Sequence, residues 1–222
     1  MVHKTKGIVF RLTKYGETSI IVNIFTEQFG LRGYIVNGVR GKSATNKIAL
    51  YQPLTLVDLV VYHREHANLE RIKEIKCLHP FHSITIDVQK SSIAMFISEI
   101  MNKTVREESP NAELFGFLFE SIYALDTLQQ GYENFHLVFL LKLSRYLGFG
   151  AYQANEVVGG RPADKTTEQT LEKLVRAAYQ EHIVLTNSQR RTTLELLLKF
   201  YADHIDNLGE IRSVQVLREV LG

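Results

Sequence analysis

The spacing of apolar residues changes once along this chain, near Pro80, and this change limits the fold more than any other feature. Before it, apolar and polar side chains alternate, as in "GIVFRLTKYG", which is typical of a strand with one buried face. After it, apolar residues recur every three or four positions, as in residues 93–101, which is typical of amphipathic helices. The sequence therefore predicts a β-rich domain over residues 1–80 and a helical domain over residues 81–222.

The β-rich domain contains five candidate strands separated by short turns. A longer polar and basic segment, residues 41–53, separates the third strand from the fourth. Five short strands with one long connection favour a small closed barrel of the OB-fold type. The predicted fold class is thus α+β, with an N-terminal five-stranded OB-fold followed by a helical bundle. The candidate strands are "GIVFRLTKYG", "TSIIVNIFTEQFG", "LRGYIVNGVRG", "LTLVDLVVYHR" and "LERIKEIKCL".

One segment of the helical domain, "ENFHLVFLLKLSRYL" at residues 133–147, is apolar on nearly all sides. A helix with that pattern is buried, so we expect it at the centre of the bundle. Later helices are predicted at about 167–180, 188–208 and 213–221, after a non-periodic stretch at 149–166.

Composition excludes several classes of protein. With 45% hydrophobic and 23% charged residues, the 222-residue chain has the composition of a folded globular protein. No apolar run is long enough to span a membrane, and the N-terminus lacks the apolar core of a signal peptide. A single cysteine, Cys77, excludes an intramolecular disulfide. We therefore expect a cytoplasmic protein with no membrane partner.

The net charge of +2 hides an uneven distribution. Residues 1–80 contain twelve lysines and arginines against six aspartates and glutamates, whereas residues 81–222 contain fourteen against eighteen. A basic domain joined to a mildly acidic one favours a polyanion-binding surface on the first domain. A solvated surface without any ligand remains the alternative.

The stretch "VNGVRGKS", residues 36–43, ends like the phosphate-binding loop G-x-x-x-x-G-K-[ST]. Val36 occupies the position where that loop requires its first glycine, and no clear helical pattern follows. We therefore interpret the stretch as a basic turn at the end of a strand, and not as a nucleotide-binding loop.

Several cations and one aromatic residue of the first domain are candidate contacts for nucleic acid. Period two places Arg32, Tyr34 and Arg40 on the same side of the third strand. Lysine and arginine neutralise phosphates, and an exposed aromatic ring stacks on any base. The alternative for the tyrosine is packing over one end of the barrel. The full candidate set is Lys6, Arg11, Lys14, Arg32, Tyr34, Arg40, Lys42 and Lys47.

Two histidine pairs suggest a zinc site, His63-x-x-His66 and His79-x-x-His82, with Cys77 close by. The first pair lies at a predicted turn and the second spans Pro80, so neither is held on a helix face. We predict solvated or capping histidines and no metal or other cofactor.

Catalytic motifs are absent from the sequence. There is no G-x-S-x-G motif, Cys77 does not lie at a helix N-terminus, and no acid–base pair of carboxylates is recognisable. We predict a binding protein with no catalytic residues; a hydrolase is the least supported alternative.

With these features assembled, the sequence resembles the RecO family of bacterial recombination mediators, in particular its Bacteroidetes members. The first match is "KGIVFRLTKYGETSIIVNIFTEQFG", which fits the family's Y-x-E-[ST]-x signature and the following F-T-x-x-x-G. Further matches are "VNGVRGKS", "YQPLTLVDLVVYHREHANLERIKE", "LLKLSRYLGFG" and "GEIRSVQVLREVL".

This resemblance implies a DNA repair protein with an OB-fold that binds single- and double-stranded DNA. It also implies annealing of complementary strands and, together with RecR, replacement of the single-stranded-DNA-binding protein SSB by RecA, at the nucleoid. The basic turn would then contact the phosphates of a DNA backbone. Many members carry a four-cysteine zinc module, but residues 149–187, which replace it here, contain no cysteine.

The resemblance further implies that the acidic C-terminal tail of SSB binds the helical domain, without fixing the residues. Lys142 and Arg145 share a face of an otherwise apolar helix, and Phe149 follows it. We take these three as the tentative tail site; the alternative is that both cations reach water or pair with glutamates. A second functional hypothesis is a protein-interaction adaptor in which the helical domain dominates and the barrel binds no nucleic acid.

Overall fold

The computed structural model describes residues 1–39, 48–64 and 67–221. It contains a closed barrel of five strands followed by a set of α-helices, which confirms the predicted α+β class with an OB-fold at the N-terminus. The strands are β1 (Val2–Tyr15), β2 (Ser19–Thr26), β3 (Gly30–Val36), β4 (Leu56–Tyr62) and β5 (Glu70–Cys77).

Around the barrel the strands follow the order β1-β2-β3-β5-β4, and β4 closes it by pairing with β1. Only the β3–β5 pair is parallel; the others are antiparallel. The interior is filled by alternate residues, among them Val22 and Ile24 of β2 and Leu59 and Val61 of β4. This period-two burial is the pattern that the sequence predicted for the first domain.

The first strand is long enough, at 14 residues, to contribute to two surfaces. Its first half pairs with β4 through residues 2–8, and its second half pairs with β2 through residues 7–15. A β-bulge lies between Val9 and Arg11. Because a bulge adds one residue and bends the strand, the two halves of β1 present their side chains in different surroundings.

Seven α-helices are described: α1 (Val88–Thr104), α2 (Ala112–Thr127), α3 (Phe135–Tyr146), α4 (Ala154–Val158), α5 (Lys165–Arg176), α6 (Asn187–His204) and α7 (Ser213–Leu221). Helix α3 is the one predicted to be buried. Nine of its twelve residues are buried, so that prediction is confirmed. None of the described helices combines the length and apolar content of a membrane span.

The chain forms two compact units that are not continuous in sequence. The first contains residues 1–81 and 105–122, and the second contains 82–104 and 123–222. A single boundary near residue 80, as expected from the sequence, leaves out residues 105–122, which pack with the barrel.

Close backbone contacts explain why this segment joins the first unit. The Leu31 amide donates to the carbonyl oxygen of Glu107 at 2.8 Å. At Gly30, a Cβ atom would lie 2.5 Å from the carbonyl oxygen of Ser109, so only glycine fits. Phe115 packs on Phe25 with 6.1 Å between ring centroids.

Candidate nucleic-acid interface

The outer surface of β2 and β3, with the second half of β1, forms one face of the barrel, which we call the front face. Arg11 lies opposite Asn23, which in turn lies opposite Gly33. Directly opposite residues of antiparallel strands project to the same side of the sheet, so these three form one row across the face. The next row is formed by Thr13, Ile21 and Ile35.

One cation and one tyrosine of this face, Arg11 and Tyr15, are accessible to a ligand, and so is Lys14 at the same end of β1. Lys14 lies opposite the core residue Ile20, so its side chain projects to the other side of the strand from Arg11. The side chains of Arg11 and Lys14 are exposed. Within residues 1–39, 48–64 and 67–221 neither of them is in an ion pair. Tyr15, which is 52% exposed, lies on the same side of β1 as Arg11 and Thr13. Phosphate-neutralising groups and an aromatic ring that a base can stack on thus share this end of β1.

The prediction that Tyr34 offers a stacking surface is wrong. Its side chain is 0% exposed and belongs to the hydrophobic core of the barrel. The reason is its register: Tyr34 lies opposite Val22, whose side chain also fills the interior. Burial, together with the charge of Glu70, raises the pKa of the Tyr34 hydroxyl far above its usual value. The exposed tyrosine at the front face is Tyr15, which the sequence pattern did not single out for this role.

Arg32 is partly buried and is bound within the first unit. Its Nε atom donates to the carbonyl oxygen of Phe29 and an Nη atom donates to that of Glu108, each at 3.0 Å. The guanidinium therefore links the β2–β3 turn to the segment that returns to the barrel. Since those donors are already used, the main role of Arg32 is to hold these two segments together, and fewer of its donors are available to a phosphate.

The structure separates Lys6 from Arg11 and Lys14. Lys6 lies in the half of β1 that pairs with β4, opposite Asp58, and its ammonium stands 5.8 Å from the centroid of the Phe119 ring. It is exposed, but it does not belong to the front face.

Arg40, Lys42 and Lys47 lie outside the described residues, so their roles stay predictions. The residue before them is fixed: the amide of Val39 donates to the carbonyl oxygen of Thr18 at 3.1 Å, and its side chain is buried. The chain therefore enters residues 40–47 from a point beside the β1–β2 turn, at one end of the front face.

The connection between β4 and β5 is held by a buried carboxylate. Glu70, whose side chain is 1% exposed, accepts hydrogen bonds from Nδ1 of His63 at 2.7 Å and from the amide of Arg64 at 3.3 Å. The His63 ring also stacks on Phe29 with 4.1 Å between centroids. In OB-folds this connection borders the nucleic-acid surface, so the exposed Arg64 is an additional candidate contact.

No group of three or more potential metal ligands is found among the described residues. His63 is bound to Glu70, and Cys77 is a free thiol of intermediate exposure. His66 lies outside the described residues. The prediction that the histidine pairs hold no metal is not tested by this geometry.

In the second unit, the three tentative tail-binding residues all have contacts within the protein. An Nη atom of Arg145 donates to the carbonyl oxygen of Val175 at 2.7 Å, and its guanidinium lies 4.9 Å from the centroid of the Tyr152 ring. Phe149 stacks on His204 with 4.9 Å between centroids.

Lys142 is the less restrained of the two cations. Its ammonium stands 5.6 Å from the centroid of the Tyr179 ring. Burial, and secondarily the neighbouring charge of Arg145, lower the pKa of Lys142. The structure places these cations on one helix, and whether they bind a tail stays a prediction.

Sequence patterns did not reveal a groove between α6 and α7 in the same unit. It combines cations with apolar side chains, as a site for an acidic peptide with an apolar end requires. Such a groove depends on two helices that are joined by a turn, so no local motif marks it. Two carboxylates, Glu210 and Glu219, also line it, and Arg218 is bound to Glu195 at 2.7 Å. The remaining lining includes Arg191, Leu198, Ile211, Arg212 and Val214.

Comparison with known proteins gives two family matches that together cover most of the chain. Residues 1–81 match the family model "Recombination protein O N terminal", and residues 86–212 match "Recombination protein O C terminal". The chain is 35% identical over 236 residues to the DNA repair protein RecO of Flavobacterium psychrophilum, covering 98% of each chain. It is also 35% identical over 240 residues to the RecO protein of Bacteroides fragilis, covering 99% of each chain. Identity to the RecO protein of Porphyromonas gingivalis is 25% over 240 residues.

Proposed function

This chain belongs to the Recombination protein O (RecO) family of DNA repair proteins, and we propose that it acts by binding DNA through the front face of its barrel. The observation that carries the proposal is the grouping of Arg11, Lys14 and Tyr15 at one end of β1, exposed and without ion pairs among the described residues. Residues 40–47, with three further cations, follow from the same end of the barrel.

The chemistry of this face suits binding that does not depend on base sequence. Arginine and lysine release counterions from DNA phosphates, which supplies affinity for any sequence. A stacked tyrosine adds affinity because every base has a π-face. We propose that the protein binds both single- and double-stranded DNA through phosphate contacts of this kind.

Strand annealing follows from the same contacts. Two complementary strands repel each other through their phosphates, and a protein that neutralises those phosphates lowers the barrier to pairing. No hydrolysis is needed for this step, so the proposed role is that of a mediator and not of an enzyme. On DNA coated with SSB, the protein would anneal strands and, with RecR, assist loading of RecA.

We propose that the second unit binds the acidic C-terminal tail of SSB. A tail of this kind needs a cation for its carboxylates and an apolar surface for its end. Lys142 is the candidate cation on α3, since Arg145 already binds the carbonyl oxygen of Val175.

Annealing of complementary strands coated with SSB tests this function. We expect the wild-type protein to accelerate annealing and the variant Arg11→Ala/Lys14→Ala to lose most of that acceleration. Lys173→Ala/Lys199→Ala, which removes two exposed lysines of α5 and α6, is the matched control and should behave as wild type. A wild-type protein that binds an SSB tail peptide but neither binds nor anneals DNA would instead establish the adaptor hypothesis.

A further inference from the structure

A second set of cations lies on the outer surface of β4 and β5 with the first half of β1, which we call the back face. Tyr62 of β4 lies opposite Arg71 of β5 on one side and opposite Val2 of β1 on the other. Asp58 of β4 likewise lies between Lys76 of β5 and Lys6 of β1. Each set of three forms a row across the three strands.

These rows point away from the barrel interior. The side chains of Val57, Leu59 and Val61 belong to the barrel core, so the alternate residues Asp58 and Tyr62 project outward. The exposure agrees: Tyr62 is 45% exposed.

The back face is positively charged overall. It carries five cations and two carboxylates, Asp58 and Glu74. The Asp58 carboxylate is bound by Lys4 at 3.2 Å. In the part of the chain that the structure describes, Arg71, Lys73 and Lys76 have no ion-pair partner. The five cations are Lys4, Lys6, Arg71, Lys73 and Lys76.

One of these cations, Lys73, lies at a β-bulge. The register of β4 and β5 shifts between Val60 and Val61, which leaves Lys73 without a partner residue on β4. Its side chain is exposed. At a bulge of this kind the side chain, here that of Lys73, points in a different direction from those of the regularly paired residues.

The back face thus repeats the chemistry of the front face. Among the described residues, each has at least one exposed cation outside any ion pair and one exposed tyrosine, Tyr62 on the back face and Tyr15 on the front face. The central strands of the two faces, β4 and β2, are not neighbours, because β1 separates them on one side and β3 with β5 on the other. Arg71 lies at the junction, since it is also the partner of Ile35 on β3.

We propose that the back face binds a second single strand of DNA, so that one barrel holds two strands at once. This proposal rests on the proposed function, because it assumes that the front face binds the first strand. A polyanion is favoured over a protein partner because the back face has a surplus of cations and an exposed ring for base stacking. Holding two strands on one small domain raises their effective concentration for pairing and neutralises their repulsion.

The test counts strands and measures annealing with the full chain. The probe is a homopolymeric thymidine oligonucleotide of about eight residues, short enough to cover one face only. We expect the wild-type protein to bind two oligonucleotides per chain in isothermal titration. Lys73→Ala/Lys76→Ala should bind one, with the affinity of the remaining site unchanged, and should anneal complementary strands about tenfold more slowly.

Three comparisons make the outcome decisive. Tyr62→Ala, which changes no charge, should also weaken the second binding event, and thermal unfolding should show that both back-face variants are folded. Lys173→Ala/Lys199→Ala should retain two sites. If the back-face variants bind two oligonucleotides and anneal as wild type does, the back face is not a DNA surface. If the wild-type protein binds no oligonucleotide at all, the proposed function itself is wrong. If it binds one oligonucleotide, only the second site is overturned.

Discussion

The guanidinium of Arg145 donates a 2.7 Å hydrogen bond to the carbonyl oxygen of Val175, near the C-terminal end of α5. A cation at the end of a helix satisfies a carbonyl group that has no partner within the helix. This contact gives Arg145 a structural role, so removing its charge affects stability as well as any ligand.

Lys142→Glu is therefore the sharper test of tail binding. We expect this change to weaken binding of an acidic SSB tail peptide at least about tenfold, because it replaces an attractive charge with a repulsive one. Binding of free single-stranded DNA should be unchanged. The measurement is fluorescence anisotropy of a labelled tail peptide.

The matched variant for that experiment is Arg212→Glu in the α6–α7 groove. If Lys142→Glu binds the peptide as wild type does while Arg212→Glu does not, the tail binds in the groove. That result would contradict the assignment to α3.

Tyr15 and Tyr34 should respond differently to substitution. Tyr15→Ala should weaken single-strand binding by about 1–3 kcal/mol, the usual contribution of one stacked base. Tyr34→Phe should leave that affinity unchanged, because the Tyr34 ring is enclosed in the core. Titration of labelled single strands measures both, and a loss of affinity in Tyr34→Phe with none in Tyr15→Ala would contradict the structural assignment.

Acid should destabilise the second unit through His136. This residue is 1% exposed, and neither ring nitrogen has a hydrogen-bond partner among the described residues. Burial, and secondarily the charge of Arg190, lower the pKa of His136 to about 3. In the unfolded chain the pKa of His136 is about 6.5, so below that pH the histidine binds a proton that it does not bind in the folded protein.

It follows that the contribution of His136 to the free energy of unfolding is complete above pH 6.5 and is lost as the pH decreases towards 3. Between pH 7 and pH 5 this one group accounts for about 2 kcal/mol. The variant His136→Phe, which keeps an aromatic ring against Phe96, should show a weaker dependence on pH over that range. Urea unfolding at the two pH values measures the difference, and parallel curves for wild type and variant would exclude His136 as the cause.

Purified protein should contain no stoichiometric zinc. One cysteine and histidines that are not held on a common helix face do not supply a closed tetrahedral site. Elemental analysis is the measurement. About one zinc per chain would contradict the prediction and would direct attention to His63, His66, Cys77, His79 and His82.

The sequence was sufficient to predict the barrel, the helical domain and the buried helix α3, because each depends on a local apolar period. It was not sufficient to place side chains on particular faces of the barrel. Those positions depend on strand pairing and on the bulge between Val9 and Arg11, which no single segment encodes.

Tyr34 shows the limit most clearly. Period two placed it on the same side of β3 as Arg32, and only the pairing with β2 reveals that this side faces the interior. Tyr62 and Arg71 belong to different strands and meet only in the β4–β5 pair. The return of residues 105–122 to the barrel likewise depends on long-range contacts, such as that of Leu31 with Glu107.

The central claim is that the front face of the barrel binds the DNA backbone, and the salt dependence of single-strand affinity tests it most directly. The logarithm of affinity should fall linearly with the logarithm of salt concentration for the wild type. For Arg11→Ala/Lys14→Ala the slope should be shallower by about 1.4, because each phosphate of a single strand that is no longer neutralised reduces the slope by about 0.7. An identical slope for the two proteins would show that these residues do not touch DNA and would contradict the account.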